Sequence, residues 1–257
     1  MSIETIILAL LVALAGFVQG TVGFGFGIVT MSTIPLMMTP KDAVPMVSLL
    51  SLLVSLTLAW KLRESISWEK VLPMVVGTIF GVPIGVTMFI HLEPTFLLFG
   101  LGIALLIVCL QQIWLKPTSK NNAKTSKFWG VIAGFASGIL GGAFNTGGPP
   151  VLLYVGMQSW SKEDTMATLQ AFFSFTTIFQ IGLFLSNGTI GYSEAVMASK
   201  LIIPTIIGIT AGFLLFKRIN QKLFRTILII AIGILGCIML YKSGHKMMFH
   251  LSRMKLF

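Results

Sequence analysis

The sequence predicts an all-α, polytopic membrane protein with about eight hydrophobic segments. It further predicts a four-plus-four internal repeat in which each half starts with a broken, glycine-rich helix. The 257-residue chain is 55% hydrophobic and only 10% charged, with a mean hydropathy of +0.93, far from the composition of soluble domains. Long uncharged windows recur along the chain, and two stretches of the first half have counterparts in the second.

The uncharged windows follow one another along almost the whole chain. A helix needs about 20 apolar residues to cross the hydrocarbon core of a bilayer, and most windows supply them. A single soluble domain of this length could not bury so much apolar surface. The windows are Thr5–Pro40, Ala43–Trp60, Val71–Leu92, Pro94–Leu115, Phe128–Ser161, Thr165–Ser193, Leu201–Phe216 and Thr226–Tyr241.

Two colinear matches between the halves predict a duplication. AGFVQGTVGFGFG, at residues 15–27, aligns without gaps with AGFASGILGGAFN, at residues 133–145. LPMVVGTIFG, at residues 72–81, aligns with IPTIIGITAG, at residues 203–212, and the GxxxG spacing inside this pair favours close helix packing. The predicted organisation is a first transmembrane repeat (1–115), a basic connecting loop (116–127), a second transmembrane repeat (128–242) and a basic C-terminal tail (243–257).

Both halves interrupt their first window with glycines. TVGFGFG, at residues 21–27, lies in the first half, and ILGGAFNTGG, at residues 139–148, lies in the second, where Pro149 and Pro150 follow it. Such sequences cannot continue as a regular helix. Irregular backbone survives at membrane depth only where protein or a water-filled cavity surrounds it, and matching broken helices point to a transporter site. We therefore expect the two segments to face each other at a binding site.

The candidate site residues follow from the chemistry of a broken helix. Free amides at helix amino termini carry partial positive charge and attract anions, and glycine lets a ligand approach the backbone. Threonine and asparagine side chains add hydrogen-bond donors and acceptors. The candidate substrate-binding residues are Thr21, Gly23, Gly25, Gly141, Gly142, Asn145, Thr146, Gly147 and Gly148.

Further polar residues in the second half are candidates for lining the same cavity. They are Gln170, Ser174 and Lys200, and Gln180 has similar chemistry. Hydrogen bonds between helices explain the uncharged members at least as well. For Lys200, snorkelling to the membrane interface is the preferred interpretation.

The charges favour an anionic substrate and a membrane setting. No Asp or Glu lies deep in a window, whereas a cation carrier or a carboxylate relay would be expected to place acid inside the membrane. The formal net charge of +10 comes largely from Lys and Arg in short connections and in the tail. Such residues orient a membrane protein in the lipid bilayer, and they do not indicate nucleic-acid binding.

The sequence predicts a secondary carrier and no enzyme. No catalytic constellation, metal-binding spacing, cofactor motif or nucleotide-binding loop occurs, and Cys109 and Cys237 lie singly in apolar windows. No residue identifies a coupling ion, and the sequence is compatible with a homo-oligomer. Two alternatives also stay open: a carrier for another small solute or a metal cation, and a non-transporting membrane assembly partner.

These motifs resemble the sulfite exporter TauE/SafE family, also called the toluenesulfonate uptake permease family. The resemblance rests on the doubled A-G-F-x-x-G-x-x-G element, on Gly-Gly-Pro-Pro at residues 147–150 and on the four-plus-four layout. It implies a multi-pass carrier of the inner, or cytoplasmic, membrane that moves a small sulfur-containing anion such as sulfite or a sulfonate. The first-half element lacks the Asn-Thr and Pro-Pro residues of the second, so equal roles are not implied.

The basic connections predict how the halves are oriented. The connection at residues 61–70 is basic, whereas the matching connection of the second half, at residues 186–193, carries no charge. The next pair is the reverse: residues 91–93 lack Lys and Arg, whereas the matching residues 217–225 are basic. An inverted repeat produces this swap under the positive-inside bias if the broken segments re-enter the membrane without spanning it. The sequence therefore favours an inverted arrangement, with the basic tail outside.

Cysteines introduced at Gly188 and Asn220 test this orientation in a variant without the native cysteines. A membrane-impermeant maleimide should label Gly188→Cys in intact cells and Asn220→Cys only after permeabilisation, because the inverted arrangement places the basic connection at residues 217–225 inside. The reverse labelling pattern would contradict the arrangement.

Overall fold

The computed structural model describes residues 3–114, 126–158, 160–215, 230, 233–234, 236–241 and 243–244, and the regular structure in these residues is helical. Short 3-10 turns occur at Ile34–Leu36 and Arg63–Ser65. The α-helices are α1 (Ile3–Val22), α2 (Phe26–Thr33), α3 (Pro40–Lys61), α4 (Trp68–His91), α5 (Pro94–Trp114), α6 (Lys127–Phe144), α7 (Gly148–Gly156), α8 (Lys162–Ser186) and α9 (Tyr192–Leu215).

Seven helices in the described residues are long and apolar enough to cross a membrane, namely α1, α3, α4, α5, α6, α8 and α9. Their candidate spans contain 18–25 residues. At about 1.5 Å per residue, these lengths match a hydrocarbon core of about 30 Å. The predicted all-helical membrane class is confirmed. Of the eighth window, Thr226–Tyr241, the structure describes residues 230, 233–234 and 236–241, and these are helical.

The buried core joins helices from both ends of the sequence. Leu8 of α1, Val44 of α3 and Leu201 of α9 belong to one cluster of buried apolar side chains. Large apolar side chains also cover the outside, where Phe80 and Ile203 are 65% and 69% exposed. Such an apolar exterior is typical of helices that face lipid.

In the first half, a short irregular stretch separates α1 from α2. Gly23 and Gly25 have φ values of +88° and +113°, in the region that residues with a Cβ rarely adopt. The first window therefore forms a long helix and then a short one.

The same sequence of elements occurs in the second half. α6 ends at Phe144, and Asn145 caps it with a left-handed φ of 56°. Pro149 and Pro150 lie in the first turn of α7, where a missing amide hydrogen removes no helical hydrogen bond. Here the prolines begin a new helix directly after a break.

The short helix α7 folds back along α6. A Cβ atom on Gly147 would lie 2.6 Å from the carbonyl oxygen of Ser137, and one on Gly130 would lie 3.0 Å from the ring of Tyr154. The start of α7 thus lies beside the last turns of α6, and its end lies beside the first turn of α6. α6 and α7 form a hairpin that returns toward the end of the bundle where α6 begins.

The most extensive helix contacts join α4 to α6 and α1 to α9. Glycines allow these backbones to touch, as small residues commonly do between membrane helices. In both pairs the partner numbers rise together, so the helices run parallel. A Cβ atom would overlap a facing carbonyl oxygen at Gly77 with Val131, Gly81 with Phe135, Gly208 with Ala13 and Gly212 with Phe17.

These two interfaces correspond residue by residue. When the alignments of residues 72–81 with 203–212 and of residues 15–27 with 133–145 are extended, the overlaps at Gly77 and Gly81 correspond to those at Gly208 and Gly212. Each interface also joins one helix of the first half to one helix of the second. In both interfaces, therefore, each half supplies a partner helix for the other half.

A third contact relates the halves in the same way. A Cβ atom on Gly102 of α5 would lie 2.9 Å from the side chain of Leu240, and one on Gly233 would lie 2.9 Å from Sγ of Cys109. In the alignment that pairs residues 72–81 with 203–212, Gly102 corresponds to Gly233 and Cys109 to Leu240. The helical residues around Gly102 and those around Gly233 therefore pack antiparallel, and each glycine contacts the residue that corresponds to the other's partner.

Charged and aromatic contacts tie the halves together at one end of the bundle, which we call the basic end. Lys70 Nζ lies 2.6 Å from Asp164 Oδ2 and 5.1 Å from the centre of the Trp160 ring. Lys61 Nζ lies 4.9 Å from the centre of the Phe213 ring. The starts of α4 and α8 and the ends of α3 and α9 therefore meet there.

The opposite end of the bundle is joined differently. Lys41, at the start of α3, donates hydrogen bonds to the carbonyl oxygens of Phe89 and Ile90 at the end of α4. The rings of Phe89 and Phe184 lie 5.2 Å apart and link α4 to α8. Lys41 therefore caps a helix of its own half, whereas Lys61 and Lys70 contact the other half.

Alanine at Gly208 should destabilise the bundle, because the new methyl group would overlap the backbone of α1. Overpacking of this kind costs about 1–3 kcal/mol. Gly182→Ala in α8 is the matched control, since no atom lies within 4 Å of the Cβ position there. The apparent Tm in detergent should fall for Gly208→Ala and hold for Gly182→Ala, and equal values would contradict the close approach of α1 and α9.

Candidate binding cavity

A small cavity lies where the two irregular segments meet. The centre of a water molecule can move through about 60 Å³ of this cavity. A single water needs roughly 10–15 Å³ of such volume, so the cavity has room for a few waters. Its lining comes from both halves of the chain: α1, α2 and α3 from the first, and α6, α7 and α8 from the second. The cavity is thus shared between the halves.

The two irregular segments touch each other at this cavity. A Cβ atom on Gly27 would overlap the carbonyl oxygen of Asn145, and one on Gly148 would lie 3.8 Å from the Phe24 ring. Ser51 and Thr176, near the middles of α3 and α8, line the same space. The cavity therefore lies about halfway along the long helices.

A chain of glutamine hydrogen bonds holds the first segment. The Phe26 amide donates to Gln19 Oε1 at 2.9 Å, and Gln19 Nε2 donates to Gln170 Oε1 at 3.0 Å. Gln170 Nε2 in turn donates to the carbonyl oxygen of Gly23 at 2.6 Å. Gln170 is fully buried, so α8 supplies partners for this segment from within the protein.

The second segment is held by three further side chains. Gln180 Nε2 lies 3.0 Å from the carbonyl oxygen of Gly141 and also donates to Gly142. Asn145 Nδ2 donates to the carbonyl oxygen of Val44 at 2.8 Å, and the Ser137 hydroxyl donates to Gly147. Gln180 of α8 thus pairs carbonyl groups at the end of α6, and Ser137 of α6 pairs the Gly147 carbonyl. Asn145 ties the segment to a backbone carbonyl of α3.

This pairing decides the electrostatic character of the cavity. Gln170 and Gln180 cover carbonyl groups at the carboxyl ends of α1 and α6, which would otherwise present negative partial charge. The amides of Gly27 and Ile28 lie in the first turn of α2 and have no acceptor within that helix. The start of α7 also opens into the cavity at Gly147 and Gly148. The free amides at the starts of α2 and α7 thus bring positive partial charge to the cavity.

A family model named Sulfite exporter TauE/SafE matches residues 8–239, a range that includes both irregular segments. The chain belongs to this family. The resemblance predicted from the sequence motifs is therefore confirmed, and the family is one of membrane transporters. No curated protein and no solved structure shows significant similarity to the chain.

The cavity of this TauE/SafE family member is lined by five of the candidate substrate-binding residues: Gly25, Gly141, Asn145, Gly147 and Gly148. Four of the five belong to the second segment, which carries the Asn-Thr-Gly-Gly-Pro-Pro sequence. Of the additional polar candidates, Gln180 lies in the lining.

Four candidate substrate-binding residues lie outside the lining. The Thr21 hydroxyl donates to carbonyl oxygens of its own helix, and the Gly23 carbonyl accepts from Gln170. Gly142 packs against α4, and Thr146 is fully buried with no hydrogen-bond partner for its hydroxyl among the described residues. These residues shape the two segments and do not face the cavity.

The remaining candidates also occupy other positions. Gln170 donates to the Gly23 carbonyl of the first segment and does not line the cavity. The Ser174 hydroxyl donates to the backbone carbonyl oxygen of Gln170 within α8. Lys200 is exposed on α9 and is absent from the lining. The described residues contain no group of three or more His, Cys, Asp or Glu able to hold a metal ion.

The structure adds lining residues that the sequence interpretation missed. Gln19 and Ser137 had a detectable signal, because they occupy the same position in the two A-G-F-x-x-G elements and are the polar residues there. Gly27 belongs to the glycine-rich segment at residues 21–27. Ser51, Phe173, Thr176 and Thr177 lie in long helices, where nothing in the sequence distinguishes a cavity face from a packing face. The added residues are Gln19, Gly27, Ile28, Ser51, Ser137, Phe173, Thr176 and Thr177.

Leucine at Gln170 should destabilise the TauE/SafE chain by about 2 kcal/mol or more, because it leaves the Gly23 carbonyl and the Gln19 amide unpaired in a buried place. Ser174→Ala, one turn further along α8, is the control, since it removes only a bond within the helix. The apparent Tm in detergent should drop for Gln170→Leu only. An unchanged Tm would mean that the glutamine chain does not hold the segment.

Proposed function

We propose that this family member is a secondary transporter that carries a small, sulfur-containing anion such as sulfite or a sulfonate across the cytoplasmic membrane. One observation carries the proposal: the amino termini of α2 and α7, one from each half, open into one uncharged polar cavity at mid-depth. Amino termini of helices attract anions, and paired half-helices are a recurrent solution for transporter sites.

The proposed site consists of residues that line the cavity, with a supporting set around them. Gly27, Ile28, Gly147 and Gly148 would offer backbone amides to the anion, and Ser51 would add a hydroxyl. Gly141 and Gly25 would leave room for it. Asn145, Gly23, Gly142, Thr21 and Thr146 would act indirectly, by fixing the shape of the segments that carry the amides.

We propose an inverted repeat as the basis of transport. The matched contacts of α4–α6 and α1–α9, and the reciprocal contact of Gly102 and Gly233, support a two-fold relation between the halves. Such a relation lets one half rock against the other around a central site, so that the site opens alternately to the two sides. The side that carries Lys61, Lys70 and Lys162 would be cytoplasmic by the positive-inside rule.

A small substitution in the cavity provides the functional test. A Cβ atom on Gly148 would sit at 3.8–3.9 Å from Phe24, Ile28 and Phe173, an ordinary contact distance, so Gly148→Ala fits but reduces the free volume. Gly156→Ala on the same helix is the control, because no atom lies within 4 Å of its Cβ position. Uptake of labelled sulfite into proteoliposomes should fall about tenfold or more for Gly148→Ala and stay unchanged for Gly156→Ala.

The same assay separates the proposal from its alternatives. Sulfite, sulfate, an alkanesulfonate, a carboxylate and a divalent metal are offered to the wild-type protein, with Asn145→Leu in parallel. Saturable uptake of a sulfur oxyanion that both site variants impair would support the proposed function. Uptake of the metal alone, or equal uptake by wild type and Gly148→Ala, would refute the proposed site and its preference for anions.

A further inference from the structure

We infer that the cavity selects oxyanions by charge, binding singly charged ones such as sulfonates and hydrogen sulfite much more tightly than doubly charged ones such as sulfate. This inference rests on the proposed function, since it concerns the same site. It follows from two properties of the lining: the absence of a compensating charge, and the small number of donors that remain free.

The lining offers no charge to balance the ligand. Among the described residues it contains no Lys, Arg or His, and it contains no Asp or Glu. Two lysines at the ends of the bundle have partners there. Lys41 donates to carbonyl groups at the end opposite the basic end, and Lys70 pairs with Asp164 at the basic end. Only dipoles and hydrogen bonds are left to stabilise an anion.

Dipoles compensate a second negative charge poorly. The cost of taking an ion out of water grows with the square of its charge, whereas its attraction to fixed dipoles grows only in proportion to the charge. Doubling the charge therefore raises the cost about fourfold and the gain about twofold. A site that lacks a cation thus favours the singly charged ligand.

Most side-chain donors around the cavity are already committed to protein carbonyl groups. Gln180 donates to Gly141 and Gly142, and Asn145 donates to Val44. These amides cannot turn toward a ligand without leaving buried carbonyl groups unpaired, which is costly.

The hydroxyls of Ser137 and Thr176 are committed in the same way, to Gly147 and Phe172. The buried Ser51 hydroxyl, by contrast, has no hydrogen-bond partner among the described residues. Together with the amides at the starts of α2 and α7, it forms a donor set suited to the three oxygens of a sulfonate. The fourth oxygen and second charge of sulfate would go without comparable partners.

Binding measured by calorimetry on the purified full-length protein in detergent tests the inference. Methanesulfonate and sulfate are the probes, because each keeps its single or double charge throughout the neutral pH range. Sulfate should bind at least about a hundredfold more weakly than methanesulfonate, since each ion's desolvation penalty is several kcal/mol and rises with charge.

Two serines on α3 provide the matched pair of variants. Ser51→Ala should weaken methanesulfonate binding about tenfold or more, the usual cost of a lost hydrogen bond to a charged group. Ser55→Ala should bind as the wild type does, because Ser55 lies one turn further on and donates to the Leu52 carbonyl of its own helix.

The outcomes distinguish this inference from the function on which it rests. Sulfate affinity equal to or above that of methanesulfonate would overturn the charge selectivity and leave anion transport standing. Binding of neither anion, together with no uptake of either into proteoliposomes, would overturn both. An unchanged affinity in Ser51→Ala would overturn the donor assignment even where sulfate binds weakly.

Discussion

The structure depends on one constraint: backbone amide and carbonyl groups at membrane depth must find partners inside the protein. Each irregular segment frees carbonyl groups at the end of a long helix and amides at the start of a short one. Gln170 and Gln180, both on α8, donate to the carbonyl groups of Gly23, Gly141 and Gly142. α8 thus supports both segments, and the amides that stay open are the groups that the proposed function assigns to the anion.

The glycine interfaces explain how the two halves of the chain build this arrangement. α1 packs on α9 and α6 packs on α4, so each segment-bearing helix lies against a helix of the other half. Because the facing residues are glycines, the backbones touch without interlocking side chains. The proposed rocking of one half against the other would take place along these interfaces.

The two ends of the bundle are not equivalent. At the basic end, Lys70 pairs with Asp164, and Lys61 lies over Phe213, so cations of the first half contact the second half. At the opposite end, Lys41 caps α4 within its own half. The halves are therefore joined more strongly by charge at the basic end, whereas aromatic packing of Phe89 on Phe184 joins them at the other.

The sequence by itself determined the membrane class, the family and the position of the irregular segments, because apolar windows, glycines and prolines act locally on the chain. Gly25, Gly141, Asn145, Gly147 and Gly148 could be identified as cavity residues for that reason. Only the tertiary structure decided which polar side chains reach the cavity. Gln170 and Gln180 are both glutamines of α8, yet Gln180 lines the cavity and Gln170 braces a segment, and Lys200 faces outward. Those roles depend on how helices from the two halves rotate and pack against one another, and no local pattern encodes that packing.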